Sequence, residues 1–193
     1  MILTDLPDDR LLGALRRLLE QRGLAHPDEV AGQMAATDAA TPARGAAMVA
    51  RAWTDPTYRA LMLRDGSLAA ETLGIPMRGA APLGVLDNGG AVHHLVVCTL
   101  CSCYPRTVLG YPPHWFKSAA YRARAVREPR AVLADFGTVL PAEVPVRVVD
   151  SSADYRWMVL PHRPTGTEGW DEARLAALVR EGDMIGVTRP RAG

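Results

Sequence analysis

The chain has 193 residues, 48% of them hydrophobic and 22% charged, with a formal net charge of +1. That length and apolar share suffice for one core of ordinary size, and the near-neutral balance lacks the clustered basic charge of a nucleic-acid binder. No apolar run approaches membrane-spanning length and no signal-peptide pattern precedes the first helix, so a cytoplasmic protein with no membrane and no nucleic-acid partner is expected.

The first predicted helix begins near the acidic pair Asp8 and Asp9 and stops at Gly23, with Leu11, Leu15, Leu18 and Leu19 on one face. An alanine-rich stretch from Ala35 to Ala47 is expected to be loosely ordered at its start, and a second helix runs from about Pro42 to Trp53. A third starts at Asp55-Pro56 and ends at Gly66 or Gly74. From Leu83 the period changes to that of strands, over Leu83 to Leu86 and Val92 to Val97. Helices follow over Ser118 to Val126 and Pro129 to Phe136, then strands over Val144 to Val149 and Tyr155 to Leu160. A closing helix is expected from Asp171 to Glu181, capped by Gly182. This segregation predicts an α+β fold, helical over 1–80 and mixed over 81–193. The arginines between Arg122 and Arg130 are interrupted by Glu128 and read as a solvated or interface helix face.

All three cysteines fall in the run Cys98-Thr99-Leu100-Cys101-Ser102-Cys103, directly after the second predicted strand. A disulfide framework does not fit, because the count is odd and bridging Cys101 to Cys103 closes a strained ring. Tetrahedral zinc is one alternative, with His93, His94 or His114 completing the set, although no second Cys-x-x-Cys pair is present. His93 and His94 lie on opposite faces of one strand and read as structural. The spacing favours a claw in which the peptide between Cys101 and Cys103 lies beside the ion and its amide nitrogens coordinate. Two thiolates and two amide nitrogens then form a near-planar set, with Cys98 axial and the opposite position open, as suits an octahedral Lewis acid.

Val96-Val97-Cys98-Thr99-Leu100-Cys101-Ser102-Cys103 resembles the metal claw of the nitrile hydratase alpha subunit. Val108-Leu109-Gly110, Pro112-Pro113-His114-Trp115-Phe116-Lys117-Ser118, Tyr121-Arg122-Ala123-Arg124 and Val126-Arg127-Glu128-Pro129-Arg130 are similar to downstream segments of that family. So are Asp150-Ser151-Ser152-Ala153, Val159-Leu160-Pro161, Gly166-Thr167-Glu168-Gly169-Trp170 and Met184-Ile185-Gly186-Val187. The likeness covers nearly the whole chain.

The resemblance implies sulfur ligands from Cys98, Cys101 and Cys103, and backbone nitrogen ligands from Ser102 and Cys103. It implies Cys101 as a sulfinate and Cys103 as a sulfenate, the oxidation expected of exposed, metal-polarised thiolates. Thr99 resembles the cobalt-type motif, implying low-spin Co(III) rather than the alternative Fe(III). The implied reaction hydrates a nitrile to an amide, with the Cys103 sulfenate or a water beside it as nucleophile and the Ser102 hydroxyl near the open position. The family also implies an N-terminal helical arm over 1–80 that embraces a beta-type subunit, a metal-binding catalytic domain over 81–193, and a cobalt-insertion activator protein. Arginines and aromatics of the beta subunit would complete the site, leaving the isolated chain poorly active.

Departures from the family pattern bear on the substrate. Arg106-Thr107 stands where Trp-Pro is usual, and Tyr111 where leucine is common. Losing a tryptophan removes a large apolar wall, so the pocket is expected to take bulky, polar nitriles such as a nucleoside nitrile of the toyocamycin kind. Two other readings remain: the gamma subunit of a thiocyanate hydrolase, whose cobalt claw is similar, and a non-catalytic metal-binding subunit.

Overall fold

A computed structural model describes residues 8–101 and 103–192. Its contacts divide the chain into two units, one ending at Ala39 and one running from Ala40 onward.

The first unit contains α1 (Asp8–Gln21) and α2 (Pro27–Asp38). Gly23, with φ of +64°, closes the turn after α1 where the sequence places the helix end. Leu12, Leu15 and Leu18 are exposed, and α2 buries none of its residues. The start of the alanine-rich stretch, expected to be loosely ordered, lies in α2, which ends at Asp38.

The second unit opens with α3 (Pro42–Thr54), α4 (Pro56–Arg64) and α5 (Gly66–Thr72). Each break between them carries its own cap. The Asp55 carboxylate accepts from the N–H of Thr57 and Tyr58 at 2.9 and 3.0 Å, and that of Asp65 accepts from Leu68 at 2.9 Å. Helix α3 buries Ala46, Met48, Val49, Ala50 and Ala52, and Gly45 lets Leu109 and Met184 approach, since a Cβ there would lie 2.5 and 2.7 Å from them. The contact division thus falls between Ala39 and Ala40. The helices over 42–72 pack with the strands in one core, because their apolar faces have no other cover.

Strands β1 (Leu83–Asp87), β2 (His93–Val97), β3 (Val146–Asp150) and β4 (Arg156–Leu160) match the expected positions. They form two parallel pairs, β1 with β4 and β2 with β3. Asn88-Gly89-Gly90 carries hairpin chemistry, yet β1 and β2 do not pair. Instead Asn88 binds the start of β2, accepting from the His94 N–H at 2.7 Å and donating to the His94 carbonyl at 3.1 Å. The whole is α+β, and its core is centred on Met48, Met62, Leu95, Val96, Val97, Leu109, Met158, Leu160, Met184 and Ile185.

Short helices α6 (Arg106–Leu109) and α7 (His114–Lys117) follow the cysteine loop, then α8 (Ala119–Arg127) and α9 (Pro129–Asp135). The expected closing helix is two, α10 (Glu172–Ala176) and α11 (Glu181–Ile185). Asp183 explains the break: its carboxylate accepts from the Arg180 N–H at 2.8 Å, which starts a new helix there. The left-handed cap is Gly186, not Gly182; a Cβ at Gly186 would lie 2.1 Å from the His94 carbonyl oxygen. Among the described residues no helix is long and apolar enough to cross a membrane.

Candidate metal centre

Strand β2 ends at Val97 and delivers Cys98 to a loop whose entry is held from both sides. In the β2–β3 register Val97 stands opposite Asp150, and the Ser151 N–H donates to the Val97 carbonyl at 2.7 Å. The Tyr121 hydroxyl, buried on α8, donates to the Val96 carbonyl at 2.7 Å. Tyr121 is itself fixed by aromatic contacts with Trp115, Phe116 and Phe136, at centroid separations of 5.0, 5.8 and 6.5 Å. The apolar run of β2 thus makes the strand, and the aromatic cluster sets its height.

The loop is pinned next. Asp150 accepts from the Thr99 N–H at 3.0 Å and, through its other oxygen, from the Thr99 hydroxyl. Arg122 donates from Nη1 to the Thr99 carbonyl at 3.2 Å, so this member of the basic run faces the loop rather than solvent alone. Arg124, by contrast, pairs with Glu128 and Asp135 at 3.0 and 2.7 Å, as an exposed face does. The sequence gives Asp150 and Tyr121 no role at this loop, and Arg122 reads there as part of a solvated or interface face. The signal for Asp150 was its position at the end of a strand that could pair with β2.

Held in this way, the Sγ atoms of Cys98, Cys101 and Cys103 all lie within 4.8 Å of one another. Cys101 is 3.4 Å from Cys98 and 3.1 Å from Cys103, sulfur to sulfur, and none of the three forms a disulfide. The Cys101 N–H donates to the Cys98 sulfur at 3.3 Å, turning the chain back on itself. Cys98 and Cys103 are buried and Cys101 is exposed, so the triad opens on one side. Burial pushes the Cys103 thiol up to about 12, with its cysteine neighbours adding to the rise and the charge of Arg156 opposing it. Three soft donors brought together, one of them hard to ionise unaided, fit a soft or borderline cation that compensates thiolate charge.

Ser102, the expected donor of a backbone nitrogen and of a hydroxyl, lies outside the described residues. No histidine joins the cysteine group among the described residues. His93 sits at the far end of β2, with Nε2 2.7 Å from the Gly186 carbonyl, and His94 Nδ1 is 3.0 Å from Asn88 Oδ1. The tetrahedral completion by a histidine therefore has no support in the fold, and both strand histidines are structural as expected.

Beyond Cys103 lies a cleft of about 140 Å³ lined by Met77, Leu83, Tyr104, Arg106, Val108 and Arg156, among others. Two buried polar atoms near it, the Tyr104 hydroxyl and Arg156 Nη1, have no hydrogen-bond partner. The Arg106 guanidinium lies over the Tyr111 ring at 4.6 Å, so the two sequence-predicted pocket residues are brought together, with Tyr111 itself exposed.

The family model described as "Nitrile hydratase, alpha chain" matches residues 8–188. The chain belongs to the nitrile hydratase alpha-chain family. It is similar to the low-molecular weight cobalt-containing nitrile hydratase subunit alpha of Rhodococcus rhodochrous, 46% identical over 92% of this chain and 86% of that one. It is similar also to the thiocyanate hydrolase subunit gamma of Thiobacillus thioparus, 41% identical over 93% of this chain and 79% of that one. Among solved structures, a double mutant of the Fe-type nitrile hydratase from Comamonas testosteroni Ni1 superposes with a TM-score of 0.84. It is 42% identical and the match covers 95% of this chain and 90% of that one. By family the chain is a subunit of a nitrile hydratase type enzyme.

Proposed function

We propose that this chain is the alpha-type subunit of a nitrile hydratase that adds water to a nitrile to give the amide. The observation that carries the reading is the convergence of three Sγ atoms within 4.8 Å at the end of β2, on a loop fixed by Asp150 through Thr99. Cys98, Cys101 and Cys103 are the sulfur ligands, with backbone nitrogens of Ser102 and Cys103, and Thr99 in the motif favours cobalt(III) over the alternative iron(III). A cobalt(III) ion held there supplies Lewis-acid polarisation of the nitrile. Cys101 as sulfinate and Cys103 as sulfenate follow from the family pattern.

The chain's own residues do the positioning. Cys98, buried at the strand end, fixes the rear of the site, and Tyr104, the residue after Cys103, lines the cleft. An oxygen on Cys103, or a water held against it, is the nucleophile. The unpartnered donors of Tyr104 and Arg156 orient the polar part of a bound substrate, while Met77, Leu83 and Val108 exclude bulk water. Net, the oxygen of one water bonds to the nitrile carbon, and both its protons end on nitrogen. Arg106 over Tyr111 makes a flat cationic rim that suits a bulky, polar nitrile, including a heteroaromatic nucleoside nitrile of the toyocamycin kind.

A beta-type subunit closes the open side of the triad and an activator protein delivers cobalt, so the lone chain turns over poorly. Residues 8–38, with their exposed leucines, are the part of the helical arm that reaches the partner. The kinship with a thiocyanate hydrolase gamma subunit carries a second reading, in which the same site takes thiocyanate. The assembled, cobalt-loaded complex decides between them: amide from a nitrile supports the first, and carbonyl sulfide with ammonia from thiocyanate, without amide, supports the second. A loaded complex that does neither leaves a non-catalytic metal-binding subunit.

A further inference from the structure

Between the α9 end and the chain's C-terminal segment lies a second cleft, of about 490 Å³, that the nitrile chemistry does not use. Its lining includes Thr138, Arg180, Asp183, Thr188, Arg189 and Arg191. Three arginines thus share the lining with one carboxylate, which hydrogen bonds already engage. Asp183 is buried, accepting from the Arg180 N–H at 2.8 Å and from the Thr188 hydroxyl at 2.5 Å. The Thr138 hydroxyl is likewise committed, donating to the Val187 carbonyl at 2.8 Å. Arg191 donates to the Gly137 carbonyl at 3.3 Å, which leaves most of its fork free. Arg180 acts through its charge on the Asp183 carboxylate, and Arg189 adds the third arginine of the lining.

Like charges gathered in a concave site repel one another and raise the local concentration of counter-ions of opposite sign. A planar carboxylate satisfies one arginine fork, whereas a tetrahedral oxyanion has oxygens enough for three. The cleft borders the start of β2: the charge of Arg189 is felt at His93, whose ring holds the Gly186 carbonyl. The cysteine loop leaves the other end of the same five-residue strand, about 15 Å away at the usual strand rise. A ligand here therefore does not touch the cysteine triad.

We propose that Arg180, Arg189 and Arg191 form a binding site for a phosphate-class oxyanion, inorganic phosphate or a phosphate monoester, separate from the metal centre. The site binds in the assembled enzyme and weakens when any one fork is removed. The test uses the complex with its partner subunit at fixed ionic strength in chloride, titrated calorimetrically with inorganic phosphate and, separately, with phenyl phosphate. Saturable binding of either is expected, the better of the two identifying ion or ester. Arg189→Gln and Arg180→Gln should each weaken it about tenfold, the loss of one charge-assisted contact. Arg64→Gln, an exposed arginine on α4, should leave it unchanged. Unsaturable uptake, equal weakening by Arg64→Gln, or binding by the free chain that is lost in the complex would overturn the proposal. The last result would make the cleft a subunit contact for acidic side chains.

Discussion

Asp150 receives both the backbone N–H and the hydroxyl of Thr99, one on each carboxylate oxygen, and so ties the end of β3 to the first residue after Cys98. The contact spans two parallel strands whose register sets Asp150 opposite Val97. It makes the loop's shape a property of the sheet rather than of the six loop residues.

Replacing Asp150 should therefore loosen the cysteine triad without unfolding the chain. Asp150→Ala is expected to lower cobalt retention about 10–100-fold, the usual cost of losing an outer partner of a metal site. Thr99→Val, which keeps the N–H contact, should cost less. Metal content after dialysis against a chelator measures both, and equal retention by all three proteins would refute the tie.

Tyr121→Phe deletes the hydroxyl that serves the Val96 carbonyl inside the core. The carbonyl is left without that donor, at a cost of about 1–3 kcal/mol. Denaturant unfolding should show a lower midpoint with unchanged slope.

Gly186→Ala is expected to be among the most damaging single-methyl changes. It adds a Cβ 2.1 Å from the His94 carbonyl at a residue with φ of +87°. A loss of about 3 kcal/mol or more is expected. A thermal midpoint within a degree of the parent protein would contradict the packing described for β2 against α11.

Burial holds the His93 and His94 rings below their ordinary value of 6.5. The folded chain keeps them neutral while the unfolded chain takes up protons as pH falls through that value. Stability is therefore full above it and declines as pH falls toward the folded-state values, by at most about 1.4 kcal/mol per histidine per pH unit. Thermal midpoints between pH 7 and 5 should fall, and His93→Gln should remove part of that slope. A midpoint that rises toward pH 5 would reverse the sign.

Arg106→Ala removes the cation from over Tyr111. In the active complex it is expected to raise KM for polar heteroaromatic nitriles several-fold and to leave small aliphatic nitriles little changed. If small aliphatic nitriles already give the higher kcat/KM in the unmodified enzyme, the bulky-polar pocket is wrong.

Much of this protein was legible in one dimension. The strand positions followed from short apolar runs, and the candidate metal site from three cysteines in six residues, because ligand type and spacing are local facts. Helix ends were legible where their caps lie in the chain, as with Asp55 and Gly23. They were misread where a cap depends on a neighbour, as when Asp183 starts a helix that Gly186 closes against β2.

Strand partners, by contrast, were decided only in three dimensions. Asn88 and the glycines after it suggest a hairpin, yet β1 pairs with β4 and β2 with β3, because pairing is chosen by which apolar faces the helices must cover. The same burial places helices 42–72 in the main core and leaves 8–38 as a separate unit. That choice also brought Asp150 to Thr99 from 51 residues away, and no reading of the cysteine motif contains it. The sequence alone determined that three thiols fall within six residues. The tertiary structure decided how they are held, since a loop's geometry is set by the groups on other elements that bind its backbone.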